Sequence, residues 1–222
     1  MECIPYTWPY DGNFTPQNTA LIVIDMQADF VSPGGWMDRM GHDISHAPPV
    51  IEQIAKLLEF ARKQEGLTII HTREGHMPNL ADLPDNKRWR SAQGGGEIGS
   101  QGPLGRILIR GEKGWDIIPE LYPIEGEIII DKPGKSAFYA TELEHILHTK
   151  GIRNVVITGV TTECCVLSTT RDANERGFEG LTLRDCVGST IPAAHEAALN
   201  NISQHGGLFG CVGDMEFFCS LF

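Results

Sequence analysis

The stretch Asn154-Val155-Val156-Ile157-Thr158-Gly159-Val160-Thr161-Thr162-Glu163-Cys164-Cys165-Val166 decides the fold. Its first five residues are an apolar run of β character. The residues that follow, 167–176, are polar and read as a helix. A strand that hands over directly to a helix is the repeating joint of an α/β protein. At that joint the exposed N–H groups and positive end of the helix favour a thiolate over a thiol. Cys164 and Cys165 both stand there, and the stretch alone does not choose between them.

Outward from this joint the same alternation recurs. Ala20-Leu21-Ile22-Val23-Ile24 is a continuous apolar run, as strands buried on both faces of a parallel sheet are. Further strands are predicted over 67–71, 107–109, 127–131, 181–183 and 208–210. Val50, Ile51, Ile54, Leu57, Leu58 and Ala61 recur at helical spacing, which predicts a helix over 49–65 closed by Gly66. A second is expected over 141–150, opened by a capping box of Thr141 and Glu144. Two more are expected over 164–176 and 192–204, the last with Pro192 in its first turn. This order predicts a single-domain, Rossmann-like, three-layer α/β fold, with a parallel sheet of about six strands flanked by helices. Residues 1–18 form an N-terminal extension and 19–222 the domain. Residues 73–105 break the rhythm and read as a long binding loop or lid. The run Gly94-Gly95-Gly96-Glu97-Ile98-Gly99 formally matches G-x-G-x-x-G, but no strand precedes it and no helix is predicted after it. A nucleotide site is therefore not expected.

With 18 basic and 29 acidic side chains in 222 residues, the formal net charge is −11. Nucleic acids and acidic membranes are therefore not expected partners, although a local basic pocket remains compatible. No apolar run is long enough for a bilayer, and residues 1–13 lack the basic start of a signal peptide. The expected location is cytoplasmic. The six cysteines show no C-x-x-C pair, and reduced thiols are the default.

Three chemical groups fall at predicted strand ends. Asp25 follows the first strand, Lys132 follows 127–131, and Cys165 follows 154–158. Parallel strands bring all three to one sheet edge, the edge where ligands bind in such folds. An acid, an ammonium and a thiol together form a nucleophilic set. The carboxylate takes the thiol proton and the ammonium stabilises the thiolate. Taken singly, each has a plainer reading: Asp25 a turn residue, Lys132 a solvated lysine, Cys165 a small core hydrophobe.

These blocks resemble the isochorismatase-like cysteine hydrolases. Leu21-Ile22-Val23-Ile24-Asp25-Met26-Gln27, Asp131-Lys132-Pro133 with Ser136-Ala137-Phe138, and the stretch from Gly159 to Val166 match that family's three signatures in order. The resemblance implies a catalytic triad of Asp25, Lys132 and Cys165, and it selects Cys165 over a structural Cys164. It further implies a cis peptide between Val160 and Thr161, and an oxyanion hole from the N–H groups of Thr161 and Cys165. Tyr6-Thr7-Trp8-Pro9-Tyr10-Asp11-Gly12, His71-Thr72-Arg73-Glu74-Gly75-His76 and Gly102-Pro103-Leu104-Gly105-Arg106-Ile107-Leu108 resemble the biuret and triuret hydrolases, to which guanylurea hydrolases are related.

The activity so implied is amidohydrolysis of a terminal C–N bond in a small urea-type compound, with ammonia released through a thioester on Cys165. An N-carbamoyl or ureidoacrylate-type amidohydrolase is the alternative, and a non-catalytic binding member of the fold is the non-enzyme reading. Expected substrate contacts are Phe30, Arg73, Glu163 and His205, the last replacing a glutamine of the biuret enzymes. No cofactor and no metal are expected: the Asp-x-His zinc motif of related nicotinamidases is missing after the second strand, and His71 and His76 lack helical ligand spacing. A homo-oligomer, dimer or tetramer, is implied by the family alone.

Overall fold

A computed structural model describes residues 3–222. The strands are β1 (Thr19–Ile24), β2 (Thr68–Glu74), β3 (Gln101–Gly102), β4 (Gly105–Arg106), β5 (Ile128–Lys132), β6 (Asn154–Val160), β7 (Glu179–Gly188) and β8 (Cys211–Gly213). The helices are α1 (Ala28–Val31), α2 (Trp36–Arg39), α3 (Ala47–Ala61), α4 (Asp85–Gln93), α5 (Leu143–Thr149), α6 (Leu167–Glu175), α7 (Pro192–Gly207) and α8 (Met215–Cys219). Six strands pair in parallel in the order β5-β2-β1-β6-β7-β8, and β3 with β4 makes a small separate hairpin.

Side-chain alternation along the central strands builds the two outer layers. Leu21 and Val23 of β1 join Val156 and Val160 of β6 on one face, where α3 and α8 bring Ile54, Leu57, Leu58, Phe217 and Phe218. Ala20, Ile22 and Ile24 join Val155 and Ile157 on the other, against Leu143 and Leu147 of α5, Ala173 of α6, and Leu199 and Ile202 of α7. All six residues of β1 are buried, which is why its sequence shows no polar alternation.

The order of strands reverses between β1 and β6. From β1 the chain builds outward to β2 and β5, and from β6 it builds the other way to β7 and β8. A crevice opens at such a reversal, beyond the strand C-termini. Gly159 makes the close pairing possible there. Its φ is +103°, and any Cβ would collide with the carbonyl oxygen of Ile24 on β1.

Several local expectations give way. Residues 73–105 are not one loop: β2 runs through Glu74 and α4 occupies Asp85–Gln93. The helix predicted over 49–65 begins at Ala47, with Pro48 and Pro49 in its first turn. Residues 107–109 form no strand, and only an isolated bridge joins Ile109 to His76. The last strand is Cys211–Gly213 rather than 208–210, because Gly210 at φ +131° makes the turn into it. The Thr141–Glu144 capping box does not form; Thr141 Oγ1 accepts instead from the N–H of Leu143, and α5 starts there. The Gly94–Gly99 run follows α4 rather than linking a strand to a helix, so it makes no phosphate-binding turn. No described helix is long and apolar enough to cross a membrane.

Candidate active site

The C-terminal ends of β1, β2, β5 and β6 converge. Asp25 leaves β1 with φ +51°, a left-handed conformation that aspartate tolerates better than most residues. The hydroxyl of Thr72 on β2 donates to Asp25 Oδ1 at 2.6 Å. Lys132, the last residue of β5, places Nζ 2.7 Å from Asp25 Oδ2 and donates to the Gly134 carbonyl at 2.9 Å. The same Nζ lies 3.5 Å from Cys165 Sγ. Asp25 and Lys132 are fully buried and Cys165 nearly so. Parallel strand ends thus bring together the three groups expected from the sequence.

Cys165 lies on the tight turn Thr162–Val166, of π type, between β6 and α6. The peptide bond between Val160 and Thr161 is cis, as expected. A shared hydrogen bond with the Cys164 thiol, followed by burial, pushes the Cys165 thiol well above its ordinary range, and Lys132 acts against both. The same bond pulls Cys164 down to about 7, with Lys135 assisting. Burial alone would disfavour charge on Lys132. The Asp25 carboxylate, Cys165 and the Glu74 carboxylate override it and hold the ammonium protonated far above its usual value.

Glu74 is the site residue that the sequence reading missed. It ends β2, fully buried, with Oε2 3.4 Å from Cys165 Sγ and 3.6 Å from Lys132 Nζ. Lys87 of α4 reaches its Oε1 at 2.6 Å, and Lys135 reaches both oxygens at 3.1 and 3.2 Å. Burial opposes ionisation of Glu74, yet Lys135, Lys132 and Lys87 hold its carboxyl far below the usual range. The signal was present: Thr72 and Glu74 share one face of β2, two residues apart. Asp25, Glu74 and Cys165 offer atoms within 4.8 Å of one another, a grouping that could hold a metal ion. The Lys132 ammonium already lies among them.

Period-two alternation sends Arg73 to the opposite face. There it pairs with Asp131 at 2.8 Å and Asp116 at 2.9 Å and stacks 3.9 Å over the Trp115 ring. It is ion-paired there, on the face turned away from Thr72 and Glu74. His205 is also displaced. It sits at φ +53° where α7 ends, and α7 runs from the β7 C-terminus back to the start of β8, so His205 lies at the end of the sheet opposite Asp25, Lys132 and Cys165. Within this chain it does not join the site. Phe30 is buried on α1 and packs against Trp36, ring centroids 5.8 Å apart. Glu163 shares the Cys165 turn, but its Oε2 is buried with no hydrogen-bond partner among the described residues, and its charge bears on His46. His71 is bound to Glu127 at 2.9 Å and His76 lies 3.3 Å from Asp82, so each has a carboxylate neighbour of its own.

Beside Glu74 a cavity of about 330 Å³ is lined by Trp36, Met40, Lys87, Arg90, Ile98 and Lys135. Its polar wall is cationic, and Lys135 Nζ lies 6.0 Å from the centroid of the Trp36 ring. Lys135 therefore connects the carboxylate beside the thiol with this aromatic-walled space.

Comparison with known proteins gives concordant results. Residues 19–213 match the family described as the isochorismatase domain. A ureidoacrylate amidohydrolase, RutB, of Klebsiella pneumoniae subsp. pneumoniae is 37% identical over 217 residues, covering 95% of this chain and 89% of the relative. The crystal structure of an isochorismatase-like hydrolase from Alkaliphilus metalliredigens superposes with a TM-score of 0.71 at 29% identity, over 91% of this chain and 98% of that one. A cysteine hydrolase from Pseudomonas syringae pv. phaseolicola shares the fold, with a TM-score of 0.79 at 22% identity over 100% and 97% of the two chains.

Proposed function

This chain belongs to the isochorismatase family of hydrolases, and from that premise we propose that it is a cysteine amidohydrolase of small linear ureides. One observation carries the reading: Lys132 Nζ stands between the Asp25 carboxylate at 2.7 Å and the Cys165 sulfur at 3.5 Å. In the proposed cycle Cys165 Sγ adds to the carbonyl carbon of a terminal carbamoyl group, and Asp25 receives the thiol proton. The C–N bond breaks, and the proton leaves Asp25 with ammonia. Asp25 then takes a proton from water as the water oxygen adds to the thioester carbon. The C–S bond breaks and the sulfur is reprotonated. Lys132 stands between Asp25 and the sulfur and balances charge there, and the N–H groups of Thr161 and Cys165 receive the oxyanion.

For the other end of the substrate, the cationic wall of Lys87, Arg90 and Lys135 favours a carboxylate tail. That supports an N-carbamoyl or ureidoacrylate-type ureide and disfavours a cationic guanylurea. The second reading is an uncharged ureide such as biuret or triuret. It draws on the His71–His76 resemblance and on Glu74, whose charge beside the sulfur suits an N–H-rich substrate.

Ammonia release should be followed with ureidoacrylate, N-carbamoyl amino acids, biuret, triuret, guanylurea and nicotinamide. A carboxylate-tailed ureide is expected to give the highest kcat/KM. Faster turnover of biuret or triuret would replace that substrate assignment with the second reading. No ammonia from any ureide would overturn both.

A further inference from the structure

We infer that Glu74 is a positioning residue of this site: it accepts the Cys165 S–H and fixes Lys132 and Lys135 around the sulfur, leaving Asp25 as the group that exchanges the proton. The inference deepens the proposed cycle and rests on it for turnover, though not for the chemistry of the thiol itself.

The hydrogen-bond inventory carries the argument. Asp25 Oδ1 accepts from the Thr72 hydroxyl at 2.6 Å, whereas Oδ2 is ion-paired with Lys132 Nζ at 2.7 Å without hydrogen-bond geometry and stays open to take a proton. The carboxylate oxygen in hydrogen-bond range of Cys165 Sγ is Glu74 Oε2, at 3.4 Å. The backbone of Glu74 is held as firmly as its side chain. Its N–H donates to Gln27 Oε1 at 2.7 Å, and its carbonyl accepts from Gln27 Nε2 at 2.9 Å. The Gln27 amide is anchored in turn on the Trp115 carbonyl at 2.6 Å. With its backbone held this way, Glu74 presents Oε2 to the Cys165 sulfur and to the Lys132 and Lys135 ammoniums beside it.

Charge separates the two carboxylates. The groups facing the sulfur are Asp25 from β1, Glu74 from β2, Lys132 and Lys135 from β5 and the turn after it, and Cys164 from its own turn, while Lys87 of α4 reaches Glu74 from the far side. Three ammoniums meet Glu74, whereas a single ammonium and a hydroxyl meet Asp25. A carboxylate shared among three ammoniums is a poor base and a good fixed acceptor. A nearby permanent anion also disfavours the thiolate at rest, so the sulfur ionises only when a proton leaves through Asp25.

A plainer role is available: Glu74 holds α4 and the 133–135 turn together through Lys87 and Lys135. Under that role Glu74→Gln and Lys87→Gln would behave alike, lowering stability and leaving the thiol unchanged.

The experiment follows iodoacetamide alkylation of Cys165 against pH by peptide mass, in a Cys164→Ser background. Glu74→Gln is expected to lower the alkylation midpoint by about one pH unit, raising the rate at pH 7 about tenfold. Lys87→Gln, which leaves Lys132 and Lys135 on Glu74, is expected to leave the midpoint in place. With the best ureide, Glu74→Gln is expected to lower kcat at least tenfold and change KM less. Should Glu74→Gln not fold, Glu74→Asp retracts the carboxylate from the sulfur and is expected to shift the midpoint the same way by less. An unmoved midpoint in the folded variant, or an equal shift in Lys87→Gln, overturns the inference. A shifted midpoint in a protein that hydrolyses no ureide leaves Glu74 as assigned and sinks only the proposed substrate.

Discussion

Cys164 and Cys165 share a turn but not an environment. Cys165 faces Lys132 and Glu74, whereas Cys164 is partly exposed and lies near Lys135. With Cys164 titrating at about 7 and Cys165 well above its usual range, iodoacetamide at pH 7 is expected to modify Cys164 first. Peptide mapping of the first adduct checks this. Under the proposed cycle, reactivity toward a small electrophile and nucleophilicity toward substrate are therefore expected to belong to different sulfurs. Cys165→Ser is expected to abolish ammonia release, and Cys164→Ser to keep it within about tenfold of wild type. Equal loss in both would show that the pair acts as one unit. At this scale the positions of Asp25, Lys132 and Cys165 were legible, because each follows an apolar run that had to be a strand. Glu74 was not, because β2 was read as ending at His71, three residues early. The added residues reverse the assignments: Thr72 and Glu74 turn inward, and Arg73, the residue singled out, turns away.

The elements were legible where burial leaves a period. α3 carries it plainly, and β1 and β6, buried throughout, show instead as unbroken apolar runs. α4 does not: only Ser91 of its nine residues is buried, so it shows no apolar face, and it is held by Lys87 on Glu74 and Pro133. The short helices α1, α2 and α8 span too few turns to show a pattern. Pairing of β6 against β1 depends on Gly159. Gly159→Ala is expected to cost about 4 kcal/mol or more, since a Cβ meets the Ile24 carbonyl at a positive φ. Loss of soluble protein, or a urea midpoint far below wild type, is the expected observation. At the edge of the sheet, Glu127 ties β2 to α3 through His71 at 2.9 Å and Arg62 at 2.7 Å. Burial works against its charge, but His71, Arg62 and the Ile124 N–H hold its carboxyl at about 2. A carboxylate with a depressed folded value stabilises above its unfolded pKa, about 4.3, and loses that contribution as pH falls through the folded one. Glu127→Gln should therefore lower stability by about 2 kcal/mol at pH 7. The gap between variant and wild type should close between about pH 4.3 and pH 2. A gap independent of pH would assign the effect to shape rather than charge.

Across the whole molecule, sign of charge differs between the surface and the site. The chain carries −11, yet the cavity beside Glu74 is walled by Lys87, Arg90 and Lys135. An anionic ureide therefore approaches through a repulsive field and is received by an attractive one. Salt weakens the first more than the second, because screening acts over about 8–10 Å and bears less on charges in direct contact. KM for a carboxylate-tailed ureide is therefore expected to fall as salt rises from about 10 to 150 mM, a range over which screening of the outer field changes most. KM for uncharged biuret should stay constant over the same range. Arg90 gives the local half of the argument, since it lines the cavity without touching the triad or Glu74. Arg90→Gln is expected to raise KM for the carboxylate ureide about tenfold, as loss of one charge-assisted contact does, with kcat held. Biuret kinetics should be unmoved by it. A salt effect without an Arg90 effect would place the discrimination in the outer field alone and leave the cavity with no part in choosing the substrate.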